Sequence, residues 1–178
     1  MRRGDVATND TVESMSTTRP VDESAAMVQR LTDIEAIKQL KARYFRAMDQ
    51  QAWEEWGKVF SPTATIDVPE AALLVTGRDE IVRAVSGALA GATTTHHGHM
   101  PEIEITGPNS ATGIWAMFDY VEWPAPAGGA RIGLQGYGHY TDEYVRVDGT
   151  WWIHRLRLDR LRVDVLGAPL WQAKVPRD

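Results

Sequence analysis

The sequence predicts an α+β fold, with helices gathered on one face of a curved, mostly antiparallel sheet. Two observations carry this. Before Gly91 the apolar residues recur mainly at helical spacings of three and four, and after it they alternate as in strands. The helical part also precedes the strand part instead of interleaving with it, which separates α+β chains from parallel α/β ones.

The elements follow in order. In "TDIEAIKQLKARYFRAMD", Thr32 and Glu35 have the spacing of a capping box, in which each side chain satisfies a free backbone N–H at a helix start. Ile34, Ile37, Leu40, Tyr44 and Met48 then form one apolar stripe. "AWEEWGKVF" predicts a second, short helix with Trp53, Trp56 and Phe60 on one side and Pro62 as its stop. "TATIDVP" predicts a short strand. "GRDEIVRAVSGALAG" predicts a third helix with Ile81, Val82, Val85 and Leu89 inward. Four long strands follow, in "HHGHMPEIEI", "ATGIWAMFDYVEW", "RIGLQGYGHYTDEYVRV" and "WWIHRLRLDRLRVDVL". Pro-Asn and Asp-Gly punctuate two of their joints, and "PAPAGG" is a loop. No internal repeat is present.

Composition narrows the function. A chain of 178 residues with 43% hydrophobic content is long enough for one domain with a real core. A net charge of −5 offers no basic footprint for nucleic acid. Without cysteine, neither disulfides nor thiolate chemistry is available, which fits a reducing, cytoplasmic setting. No apolar run approaches the roughly 20 residues that span a bilayer, and "MRRGDVATND" lacks the apolar stretch of a secretory signal. Residues 1–27 are expected to be a flexible arm, 28–168 the folded domain and 169–178 a tail.

Three of the five histidines, His96, His97 and His99, fall in "TTTHHGHMPEIEI". A tight turn at Pro108-Asn109 would pair Thr106 with Ala111. Continued in regular antiparallel register, that places His96 diagonally across from Asp119, on the same face as Met100, Trp115 and Met117. His97 and His99 fall on the other face with Phe118 and Tyr120. Gly98 is a candidate bulge, and a one-residue slip would invert the assignment. A carboxylate within the apolar strand "GIWAMFDYVEW" is costly without a donor. His96 is the donor within reach, and a buried Asp–His pair raises the ring's basicity and leaves its distal nitrogen to move protons. A metal site is disfavoured, because His96 and His99 point to opposite faces and no HExxH or further ligand assists. His97, His99, His139 and His154 are expected to be ordinary strand residues. Tyr44 reads either as a core aromatic or as a site residue, and Asp49, at the helix end, either as a turn initiator or as part of a pocket mouth.

Taken together, "DIEAIKQLKARYFRAMDQQAWEEW", "HHGHMPEIEI…ATGIWAMFDY" and "GHYTDEYVRVDGTWWI" resemble the SnoaL-like, or nuclear-transport-factor-2-like, superfamily, over roughly Leu31 to Val165. Within it the chain is most similar to bile acid 7α-dehydratases and, more distantly, scytalone dehydratases. The resemblance implies a cone, with a bent sheet wrapped around three helices and a deep apolar pocket. It implies Tyr44 in "RYFR", His96 in "HHGHMPEI" and Asp119 in "WAMFD" as catalytic residues. It also matches Asp49, Tyr140 and Arg160, which with Met100, Trp115 and Met117 are expected to contact substrate. Ile114 and Ala116 stand where the dehydratases carry arginine and tyrosine, which bears on substrate identity. The expected activity is cofactor-free removal of water from a hydrophobic, oxygenated small molecule such as a steroid or polyketide. Double-bond isomerisation, or binding without turnover, are the alternatives. The expected partners are that small molecule and further copies of the chain, as a trimer or dimer, with no nucleic acid, no membrane span and no metal.

Overall fold

The computed structural model describes residues 19–125, 129 and 132–166. The expected tail, and residues 1–18 of the expected arm, lie outside that range. The first helix, α1, runs Arg19–Asp49. The Thr32–Glu35 capping box is therefore not its start. "ESAAMVQRL" upstream consists largely of strong helix formers, so the helix continues through it. The Thr32 hydroxyl donates instead to the Val28 carbonyl one turn back (2.9 Å). Residues 22–32 are exposed, and burial begins at Asp33. That carboxylate accepts from Trp151 Nε1 (3.0 Å) and Arg146 Nη1 (2.9 Å), pinning α1 to the last strands.

Helix α2 is Trp53–Gly57 and ends before Pro62, which lies in strand β1, Phe60–Val68. Pro62 is thus not the helix stop. A 3-10 turn at Pro69–Ala71 leads to β2, Leu73–Thr76, a short edge strand not foreseen from the sequence. Four residues carry too little alternation to announce themselves. Helix α3 covers Arg78–Ala88 with Ile81 buried and Val82, Val85 and Leu89 packed against the core.

The long strands are β3 (Thr93–Gly107), β4 (Ser110–Trp123), β5 (Ile132–Val147) and β6 (Thr150–Val165). The sheet order is β2-β1-β6-β5-β4-β3. Only β1 against β6 is parallel, so the sheet is mostly antiparallel, and it is unclosed, with β2 and β3 as its edges. The helices pack on its inner face, and Ile37, Leu40, Trp56, Phe60, Ile153 and Leu156 form the centre of the core. Each of these large side chains contributes about 1.5–3 kcal/mol by leaving water.

The β3–β4 register decides the site. Pairing begins at Gly107↔Ser110, but two irregularities, between Ile105 and Gly107 and between His99 and Glu102, each shift it by one residue. One slip would turn His96 outward, and two restore its face. His96 therefore lies directly opposite Asp119 instead of diagonal to it. The second irregularity is at Met100, whose φ of 38° is left-handed, and not at Gly98. Gly98 answers a different need: a Cβ there would come within 2.5 Å of the Phe45 ring, so glycine lets α1 lie close on β3.

Candidate active site

Between the helices and the inner sheet face lies a cavity of about 270 Å³. Its wall is largely apolar, with Met48, Ile66, Val85 and Leu158 among the residues that form it. Five of the expected site residues line it: Tyr44, His96, Asp119, Tyr140 and Arg160. Small-molecule sites commonly have this make-up, an apolar cleft with a few convergent polar groups.

His96 comes from β3 and is 7% exposed. Its ring does not bond Asp119. Nδ1 lies 2.7 Å from Oδ1 of Asp49, the last residue of α1. The His96 backbone N–H donates to Asp49 Oδ2 (2.9 Å), and the Thr94 hydroxyl donates to Oδ1 (2.9 Å). Strand β3 thus supplies three donors to the helix-end carboxylate, offsetting the unfavourable macrodipole there. Burial pushes the Asp49 carboxyl up, but the bonds from the His96 ring and backbone and from Thr94 together hold it below its usual value. Nδ1 is committed to Asp49, and His96 lines both the cavity and the outer cleft between α1 and β3.

Asp119, on β4, is fully buried and pairs with Arg160 of β6 through both Nε (3.2 Å to Oδ2) and Nη2. Arg160 also reaches Glu70 on the 3-10 turn. Burial works against the guanidinium's charge, and Asp119 first, then Glu70, outweigh it. The link crosses β5 at Gly136, where a Cβ would lie 2.1 Å from Asp119 Oδ1 and 2.6 Å from Arg160 Nε. The expected His96–Asp119 pair is therefore replaced by two pairs, His96–Asp49 and Arg160–Asp119. A guanidinium neutralises a buried carboxylate better than a neutral imidazole does.

Tyr44 and Tyr140 stand edge to face, with ring centroids 6.1 Å apart. Burial is the main reason both phenols titrate far above the ordinary range. Behind them is a feature missed in the sequence. Lys41 and Asp142, each 0% exposed, form an ion pair at 2.7 Å. The Tyr144 hydroxyl also donates to Asp142 (2.7 Å), and Trp115 Nε1 donates to Tyr144 (2.9 Å). The signal was present: Lys41 sits four residues after Ile37 on the apolar stripe, and Asp142 alternates with Tyr140 and Tyr144 on one strand face.

Four expected contact residues lie elsewhere. Met100, thrown out by its irregular backbone, is 86% exposed. Trp115 and Met117 are buried but do not line the cavity, and Trp115 instead borders an outer cleft between α1 and β3. Asp49 borders that outer cleft too, behind His96. His97, His99 and His139 are exposed, and half-buried His154 bonds Ser61 (3.0 Å). Among the described residues, no group of three or more His, Asp or Glu is arranged to hold a metal, and no helix is long and apolar enough to cross a membrane.

The SnoaL-like domain model matches residues 29–157. A probable cyclase, FGR4, from Gibberella zeae is 25% identical over 149 residues, covering 78% of this chain and 92% of that one. A provisionally assigned scytalone dehydratase from Novosphingobium aromaticivorans superposes with a TM-score of 0.70 at 21% identity, covering 83% of this chain and 99% of that one. A type 2 hexachlorocyclohexane dehydrochlorinase, LinA, gives 0.69 at 19% identity, covering 80% and 97%. Identities this low in the two structures speak for the fold alone.

Proposed function

The chain belongs to the SnoaL-like domain family, and from that premise we propose that it is a lyase that removes water from a hydrophobic hydroxyketone by acid–base catalysis. One observation carries the reading: a histidine whose Nδ1 is held by a carboxylate, in the wall of an apolar cavity that also holds a phenol pair. His96 Nε2 takes the proton from a carbon next to the substrate carbonyl. Asp49 fixes the ring's orientation and stabilises the imidazolium that forms. Tyr140, packed edge-on against Tyr44, donates to the carbonyl oxygen as negative charge builds there, in surroundings that strengthen the contact. The imidazolium then returns its proton to the hydroxyl on the adjacent carbon. That group leaves as water, a double bond forms, and the protein is unchanged. These side chains supply both acid and base. The cyclase relative and the two structural neighbours are compatible with such chemistry but name no substrate for this chain.

Isomerisation begins with the same deprotonation and is favoured by the same dyad. It differs in that the proton returns to carbon. The test is a mass-spectrometric screen of hydroxyketones, from single-ring polyketide-like compounds to 3-oxo steroids. Loss of one water supports elimination, an isobaric change supports isomerisation, and His96→Ala should lower either rate about 100-fold or more. Binding without any conversion across the screen would leave the protein as a small-molecule-binding module. Oligomeric state, here proposed as trimer or dimer, is read from light scattering.

A further inference from the structure

The mechanism above leaves a fully buried ion pair unused. Lys41 Nζ sits 4.0 Å from the centroid of the Tyr140 ring, 4.5 Å from that of Tyr44 and 5.4 Å from that of Phe45. Its ammonium is thus caged by three aromatic rings, two of which belong to the phenol pair of the cavity. Its counter-ion is Asp142, which also takes the Tyr144 hydroxyl on the same oxygen, Oδ2. The other oxygen, Oδ1, is buried and finds no partner among the described residues.

Stability is a weak reason for such a pair. Taking both charges out of water costs more than their attraction commonly returns, and neutral replacements of similar volume are often tolerated. The bare carboxylate oxygen adds to that cost. The position suggests another use. A cation against the face of a phenol draws π density toward itself and away from the oxygen, which makes the O–H a stronger donor where water is excluded. The Asp142 charge pulls both phenols the other way, so the strengthening is that of the ammonium lying against the two ring faces.

We infer that Lys41, with Asp142 as its counter-ion, is a positioning residue for the Tyr44–Tyr140 pair: its ammonium orients the two rings and strengthens the hydrogen bond that Tyr140 gives to a substrate carbonyl. This inference rests on the acid–base reading, in which those phenols hold the carbonyl. Lys41 does not touch the substrate and acts through the rings.

The test uses the full chain and a neutral probe, acetophenone labelled with 13C at its carbonyl. The carbonyl stretch is followed by isotope-edited infrared difference spectroscopy. In the unaltered protein the band should move to lower frequency, as it does against a strong donor. Tyr140→Phe should abolish most of that shift, and if it does not, the phenol reading itself fails. The neutral double variant Lys41→Met/Asp142→Asn should keep its melting temperature and still bind the probe, yet lose at least half of the shift. A shift equal to that of the unaltered protein would overturn the inference. Lys41→Gln/Asp142→Asn, a hydrogen-bonded neutral pair, serves should the first variant fail to fold, and must behave alike. A measurement without ligand runs in parallel. With tyrosine labelled at Cζ, the Tyr44 and Tyr140 resonances should move in the double variant while that of Tyr137 stays. Unmoved Tyr44 and Tyr140 signals would sink the inference even if acetophenone does not bind.

Discussion

Two carboxylates flank the cavity and serve different ends. Asp49 closes α1, remains partly exposed, and collects three hydrogen bonds from β3, one of them from the His96 ring. Asp119 lies in mid-sheet, fully buried, directly opposite His96 on the neighbouring strand, and is held by Arg160 instead. Opposite residues on paired strands project side by side from the sheet, so adjacency of backbones does not aim an imidazole at a carboxylate. A helix end arriving above the strand does. The carboxylate that holds the ring thus comes from a different layer, while the one beside it is paired with Arg160.

That contrast can be broken experimentally. Asp119→Ala removes one partner of a buried pair and leaves Arg160 with Glu70 alone, so chemical denaturation should show a loss of about 3–5 kcal/mol. Asp49→Asn should cost little stability but lower turnover roughly 100-fold, since it removes the charge that steadies the imidazolium. If the two substitutions had equal effects on rate and equal effects on stability, the division of labour would be wrong. Gly136→Ala tests the wall from its other side. A methyl group there forces Asp119 and Arg160 apart, with an expected loss of about 1–3 kcal/mol. The smallest effect concerns acid. Because the Asp49 carboxyl is held below its usual value, its share of stability is complete above roughly pH 3.9 and disappears as pH falls through the lower folded value. Unfolding midpoints across that range should fall less steeply in Asp49→Asn than in the unaltered chain.

Much of the site could be read before folding was known. The stripe on α1 turned Tyr44 inward without giving it a role, and the resemblance of "RYFR", "HHGHMPEI" and "WAMFD" to a dehydratase pattern marked Tyr44, His96 and Asp119, all of which reach one cavity. Tyr140 and Arg160 meet them there. Who bonds whom was not readable. A regular hairpin would put His96 opposite Val121, and two irregularities move it by two positions, to Asp119, while preserving its face. Met100 was lost to the second of these. Lys41 shares the α1 stripe, four residues after Ile37, but that spacing does not reveal its buried partner Asp142, 101 positions away.

The sequence by itself determined the class of fold and the helix and strand periods, because these depend on local spacing along one chain. Tertiary structure alone decided that Asp49 takes His96, that Arg160 takes Asp119, and that Lys41 finds Asp142 across the core. Those pairings join residues 47, 41 and 101 positions apart. They are set by where α1 ends over β3, by the missing side chain of Gly136 and by competition among donors for buried charge, and none of these is encoded in the spacing of residues along the chain.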